Sequence, residues 1–194
     1  MNYLAHLLLA ERRGLCPAGT LMGDGLRGPV DALGSAGLRR AVWHHRKLDS
    51  FTDTHPAFRR ARRRLDPGYR HFRGVLVDIF FDHYLARHWR RFHDEPLAVF
   101  CERTYRRLLA TSAFPELRGR VERMARIDLL GSYLTLEGID RALRGLSRRV
   151  QRANHLHRGG HELRAHYQGL EGDFLDFFPQ AVAYGDSLGV ESTG

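Results

Sequence analysis

A chain of 194 residues, 43% hydrophobic and 27% charged, has the composition of a globular protein and the length of one domain with a sizeable core. No apolar run approaches the roughly 20 residues of a membrane span, and the opening Met1-Asn2-Tyr3-Leu4-Ala5-His6 lacks the basic segment of a signal peptide, so the chain reads as cytoplasmic. The charge is basic, 31 Lys+Arg against 22 Asp+Glu, and almost wholly arginine; arginine forks capture carboxylates and phosphates, so an acidic partner is expected.

In chain order, the pattern predicts a short helix over residues 2–12 with Asn2 at its N-cap. A glycine-rich loop from Gly14 to Gly37 follows, with a turn of helix around Thr20 to Asp24. Residues 36–50 read as a helix ending in His44-His45-Arg46-Lys47-Leu48-Asp49. Thr54 before Pro56 starts a helix over 56–65, because proline is pre-organised for the first helical position. Asp66-Pro67-Gly68 is a turn. The longest pattern spans 70–92, with Val75, Leu76, Ile79, Phe80 and Tyr84 at three- and four-residue steps. Pro96 and Pro115 open helices over 96–111 and 115–127, and a loop around Gly131 precedes a helix over 136–149. The last helix runs from about 159 to 177 and stops at Phe178-Pro179. With no period-2 run, the expectation is an all-α, single-domain helical bundle of seven or eight helices over 1–183, then a flexible tail, 184–194. Cys16 and Cys101 have no metal-site spacing and read as free thiols.

Residues able to do chemistry crowd the first 83 positions: His6, Asp24, His44, His45, Asp49, Asp53, His55, Asp78, Asp82 and His83. His45 and Asp49 stand i, i+4 on one helix face, as do Asp78 and Asp82. Imidazole and carboxylate on facing helices are how helical bundles build metal sites, and this donor set suits Mn, Mg, Fe or Zn. Asp78 sits inside an apolar helix, where a carboxylate needs either a metal or an ionic partner such as one of the many arginines. Taken singly, His6 reads as a hydrogen-bonded core histidine and Asp24 as a turn residue bonding its own backbone, so the case for metal rests on the set. Asp82-His83 looks like the dipeptide of the HD phosphohydrolases in reversed order. Helix neighbours point about 100° apart, so both can hold one ion only in favourable geometry, and either can instead orient a ligand.

The arginine runs Arg59-Arg60, Arg62-Arg63-Arg64, Arg90-Arg91, Arg106-Arg107 and Arg148-Arg149 each read as a solvated helix face; together with the net charge, some should form a docking surface. The aromatics lie at core-like spacing and no helix-turn-helix, zinc-finger or OB pattern is present, so nucleic acid is not the expected partner. The chain contains no GxxxxGK[ST] loop, GxSxG elbow or HExxH helix.

These residues resemble a known family. Met1-Asn2-Tyr3-Leu4-Ala5-His6-Leu7, Gly23-Asp24-Gly25-Leu26-Arg27-Gly28, His45-Arg46-Lys47-Leu48-Asp49 with Thr52-Asp53, and Asp78 to Trp89 are similar to bacterial acyl carrier protein phosphodiesterases, as are His166-Tyr167, Leu170-Glu171, Phe174 and Phe177-Phe178-Pro179. The likeness covers nearly the whole chain in order. It implies an HD-phosphohydrolase-like all-α fold and removal of the 4′-phosphopantetheine arm from holo acyl carrier protein, with Mn²⁺, or another divalent cation such as Mg²⁺ or Fe²⁺, as cofactor. It implies His6, Asp24, His45, Asp49 and Asp78 as metal ligands. Asp24, Asp49, Asp78, Asp82 and His83 would be catalytic, and Arg27, Arg46 and Lys47 would offset phosphate charge. Some relatives carry His-x-His before the basic pair; here Trp43-His44-His45 stands there, and only His45 keeps the register. The carrier protein is small and strongly acidic, which the arginine surface would suit. Two rivals carry other expectations: an HD-type nucleotide or alarmone hydrolase would share the metal centre without needing the arginines, and a nucleic-acid-binding helical protein would need no metal.

Overall fold

The computed structural model describes residues 1–23, 25, 26, 29, 30, 33, 35–111 and 115–189, with residues 115 and 116 described in backbone only. Asp24 and Arg27 lie outside the described residues.

Among those residues the fold is helical without strands. The α-helices are α1 (Tyr3–Arg12), α2 (Pro17–Met22), α3 (Ala36–Thr54), α4 (Pro56–Arg64), α5 (Phe72–Arg87), α6 (Leu97–Ala110), α7 (Pro115–Arg126), α8 (Leu129–Ser132), α9 (Leu136–Arg149), α10 (Gly160–Ala165) and α11 (Tyr167–Ser187). These eleven exceed the expected seven or eight. The difference lies in two short helices, α2 where only a turn of helix was expected and α8 in a segment read as a loop, and in a break at His166 that divides the last predicted helix.

Helix α5 is the centre of the bundle. Leu76, Val77, Phe80, Phe81, Tyr84 and Leu85 are all buried, and the helix packs against α1, α4, α9 and α11. Phe81 meets Phe58 of α4 with ring centroids 5.9 Å apart, and Phe174 and Phe177 of α11 at 5.7 and 5.3 Å. Each such ring removed from water contributes about 2 kcal/mol. Helix α1 is buried on every side from Leu4 to Ala10, so it runs through the core as a strut between α2, α3, α5 and α11.

The sequence placed the end of the last helix at Phe178-Pro179, but α11 continues through Pro179 to Ser187. Proline costs a helix interior about 3 kcal/mol or more. Burial on both sides of it, by Phe174, Phe177 and Phe178 before and Ala181 after, outweighs that cost. The helix end is also fastened to α1: Arg12 reaches Asp186 through Nε at 3.1 Å, and Arg13 donates to the carbonyls of Asp186 and Leu188 at 3.0 and 2.8 Å. The boundary read at 184 therefore falls inside a helix.

Two polar links, one on a buried carboxylate and one half-buried, set the relative positions of the helices. Asp173 of α11, almost fully buried, takes the guanidinium groups of Arg60 and Arg64 of α4, the latter with Nε–Oδ2 at 2.6 Å. Arg103 of α6 holds Glu11 of α1 with Nη1–Oε2 at 2.7 Å and Glu95 with Nη2–Oε2 at 2.6 Å.

Candidate metal centre

Helices α1 and α3 place two imidazoles on one carboxylate. His6 of α1 and His45 of α3 are both buried, and their rings stack with centroids 3.8 Å apart and planes 14° from parallel. Each turns Nε2 toward Asp49, one turn beyond His45 on α3. His6 Nε2 lies 2.9 Å from Asp49 Oδ1, and His45 Nε2 lies 3.0 Å from Oδ2. Donor atoms of all three lie within 4.8 Å of one another. The i, i+4 spacing on α3 made half of this arrangement visible in the sequence; His6 joins it only because α1 threads the core beside α3.

The electrostatics keep this group ready to bind a cation. Burial, and next the neighbouring His45, push His6 down to about 4, so its ring is neutral at pH 7; Nε2 donates to Asp49 in the free site and offers a lone pair there when the ring proton sits on Nδ1 instead. Burial alone would raise Asp49, but the hydrogen bonds from His45 and His6 prevail and hold its carboxyl well below the usual range.

Asp78 of α5 faces the same place. The α-amino nitrogen of Met1 lies 3.1 Å from Asp78 Oδ1 and 3.1 Å from Asp49 Oδ1. Burial would lower that amine, but Asp78 and Asp49 outweigh it and hold it up at about 11. The pair of carboxylates thus already accommodates one positive charge. Burial raises Asp78 itself, against the opposing pull of the amine. No side-chain pattern in the sequence signals this main-chain nitrogen.

Gly23 closes the site from the end of α2. A Cβ there would stand 2.4 Å from Cγ of His45, so only glycine lets the turn lie against the imidazole. The sequence marked Gly23 as a turn residue; its closeness to His45 is a tertiary contact with no local sign.

Of the residues named from sequence, His6, His45 and Asp49 come together, with Asp78 across the Met1 nitrogen. Asp24 and Arg27 fall outside the described residues. Asp82 is fully buried one turn after Asp78 and points under the start of α1, accepting from the backbone N–H of Leu4 at 2.8 Å and of Ala5 at 3.0 Å. It takes the capping role read for Asn2, whose side chain makes no cap bond and donates instead to the Tyr133 hydroxyl at 3.0 Å. His83 faces elsewhere, its Nδ1 2.8 Å from the Tyr133 carbonyl and its Nε2 2.8 Å from the Tyr167 hydroxyl. His44 is buried with its ring against Gly185 of α11. Arg46 donates to the Leu26 carbonyl at 2.9 Å, and Lys47 lies with Nζ 5.4 Å from the centre of the Trp43 ring. His55 caps α4, its Nδ1 accepting from Ala57 N–H at 3.2 Å.

Two imidazoles and a carboxylate within reach of one point fit a divalent cation of the Mn, Fe or Zn type. Cys16 and Cys101 are free and make no part of this cluster. No helix is long and apolar enough to cross a membrane among the described residues.

Comparison with known proteins follows this geometry. Residues 1–181 match the family model described as acyl carrier protein phosphodiesterase. The chain is 28% identical over 185 residues to a protein of that name from Enterobacter sp. (strain 638), with 94% of this chain and 96% of that one covered. It is 30% identical over 190 residues to the protein of the same name from Salmonella agona and 30% over 188 to that from Shigella boydii, again covering 94% of this chain and 96% of each relative. No solved structure matches it.

Proposed function

Because the chain belongs to the acyl carrier protein phosphodiesterase family, we propose that it hydrolyses the phosphodiester between a serine of holo acyl carrier protein and 4′-phosphopantetheine, and that a divalent cation, Mn²⁺ first, assists. The observation that carries this reading is the convergence of His6, His45 and Asp49 beside Asp78. His6, His45 and Asp49 would hold the ion, with Asp24 as a further ligand. A divalent ion there supplies Lewis acidity toward a phosphoryl oxygen and toward water.

The rest falls to the chain's own groups. In the free site the two imidazoles hold the Asp49 carboxylate between them through Nε2, so the three groups stand in place before an ion would replace those hydrogen bonds. The sequence resemblance put Asp78 among the ligands; we assign it instead to receive the proton of the attacking water, since it meets the Met1 nitrogen rather than the imidazoles and its carboxyl is raised by burial. Water adds to phosphorus, the bond from phosphorus to the serine oxygen breaks, the serine oxygen takes up the proton that Asp78 received, and apo carrier protein and 4′-phosphopantetheine leave. Asp82 and His83, read from sequence as catalytic, are assigned positioning roles: the first holds the start of α1 and so His6, the second joins α5 to Tyr133 and Tyr167. Arg27, Arg46 and Lys47 remain the proposed phosphate partners.

The wider reading follows. His and Asp donors on bundle helices are the basis for grouping the fold with the HD phosphohydrolases, and we infer from the proposed substrate a cytoplasmic protein beside fatty acid synthesis, with the domain carried through the end of α11 at Ser187 rather than ending at 183. The test is mass spectrometry of holo carrier protein incubated with the protein and Mn²⁺, with nucleotides assayed in parallel. Loss of the phosphopantetheine mass is expected. Turnover that survives exhaustive chelation removes the cation from the mechanism, and turnover of nucleotides alone removes the substrate.

A further inference from the structure

The arginines of α4 divide into two sets. Ala57, Phe58 and Ala61 are buried in the core. Arg60 and Arg64, four residues apart, are committed to Asp173, with Arg60 also reaching Asp176, and so tie α4 to α11. Arg59, Arg62 and Arg63 stand at i, i+3 and i+4 and share another face. With Arg73 of α5 they line one open cleft of about 180 Å³. Among the described residues none of these four has a carboxylate partner. Arg59 Nε is 3.3 Å from the Asp53 carbonyl and Arg73 Nε is 3.2 Å from the Arg70 carbonyl.

Four guanidinium groups around one cleft repel one another, and a fold that pairs its other α4 arginines so closely had carboxylates available. Leaving this set unpaired concentrates positive potential at one place on the surface. That place adjoins the candidate metal centre by two routes. Arg62 Nε lies 3.9 Å from the position a Cβ on Gly74 would take, and Gly74 is one helical turn before Asp78 on the same face of α5. Arg59 bonds the backbone of Asp53, whose charge acts on Asp78.

We propose that Arg59, Arg62, Arg63 and Arg73 form the docking surface for an acidic face of the protein substrate, and that this contact delivers the substrate's phosphodiester to Asp78 and Asp49. The partner's chemistry follows from the cleft: bidentate forks presented in a row suit the carboxylates of a protein surface better than a single buried phosphate, because the cleft is open and shallow. The inference rests on the carrier-protein reading above and names the residues that reading leaves open.

The experiment measures two things on the wild type, on Arg62→Glu/Arg63→Glu, and on a control with the same charge change on α9, Arg148→Glu/Arg149→Glu. Helix α9 carries none of the site residues. The first is the Kd for apo carrier protein across a salt series; the second is KM and kcat for holo carrier protein. The α4 variant should weaken binding and raise KM by about tenfold or more with kcat retained, and should flatten the salt dependence. The control should move both by less than about twofold. Thermal stability supplies the readout that a structural role would not give: relieving like-charge crowding in Arg62→Gln/Arg63→Gln should hold or raise Tm while KM still rises. Equal effects in the two charge-reversed variants, or an unchanged KM in the α4 variant, overturn the docking surface. Wild-type binding that the α4 variant loses, without cleavage of holo carrier protein, supports the docking surface and overturns the reaction instead.

Discussion

Two groups of aspartate and histidine lie within this bundle, a trio and a pair, and they are built in opposite ways. Asp49 with His6 and His45 draws its members from α1 and α3, lies partly open, and points three donor atoms at one region. Asp82 and His83 are adjacent in sequence and buried, and their side chains go to different partners, the backbone of α1 for one and Tyr133 and Tyr167 for the other. The difference teaches that adjacency on a helix separates side chains, while convergence comes from packing. The dipeptide that draws the eye supports the site; the residues scattered along the chain make it.

If that contrast holds, the largest loss follows from Asp49→Ala. It removes a donor and leaves two buried imidazoles without the carboxylate that both face. Cation affinity and turnover should fall by more than the roughly 10- to 100-fold that loss of a supporting partner costs, while the half-exposed position keeps the fold intact by circular dichroism. Retained Mn²⁺ binding by calorimetry would remove Asp49 from the centre.

Asp82→Ala should act in the reverse order. Two buried N–H groups at the start of α1 lose their acceptor, at a cost of about 1–3 kcal/mol each. Urea unfolding should show that loss directly, and cation affinity should fall only as far as α1 carries His6 out of place. A fully stable variant with no turnover would return Asp82 to the chemistry.

A smaller effect is expected at Gly23→Ala. The new Cβ must displace the His45 ring, which overpacking places at about 1–3 kcal/mol, and the tilt of the ring should weaken cation binding by roughly tenfold. Unaltered cation affinity would show that the turn after α2 yields instead of the imidazole.

These residues also mark how far the sequence could be read. The i, i+4 pair His45 and Asp49 and the apolar runs of α1 and α5 carry their periodicity openly, so the all-α fold and half of the site were legible. The convergence of His6 was not, because it depends on the depth at which α1 crosses α3. Nor was the continuation of α11 through Pro179, since local preference for a break was overcome by phenylalanines 174, 177 and 178 packing elsewhere in the core. The division of the α4 arginines was half visible: the spacing separates 59, 62 and 63 from 60 and 64, but only the position of Asp173 on α11 says which set is committed.

The mildest expected effect separates the two aspartates by pH. Burial raises Asp82 to about 7 in the folded chain, although the N–H groups of Leu4 and Ala5 oppose the rise. In the unfolded chain an aspartate titrates near 4, so between about pH 4 and pH 7 the folded state holds a proton that the unfolded state has released. The stability this group contributes is therefore complete below about pH 4 and is lost as pH rises through 7. Asp49 has the opposite sign: its folded carboxyl is depressed, and its contribution is present above about pH 4 and lost as pH falls below that. Asp82→Asn removes the first slope. An amide accepts through one oxygen only, so the variant should begin about 1 kcal/mol below wild type at pH 5; wild type then loses about 1.4 kcal/mol per pH unit up to about pH 7, so the gap should close near pH 6 and reverse toward pH 8 as the wild-type carboxyl ionises in its buried position. A gap that stays constant across that range would mean that Asp82 is ionised throughout, an ordinary helix cap reached from α5.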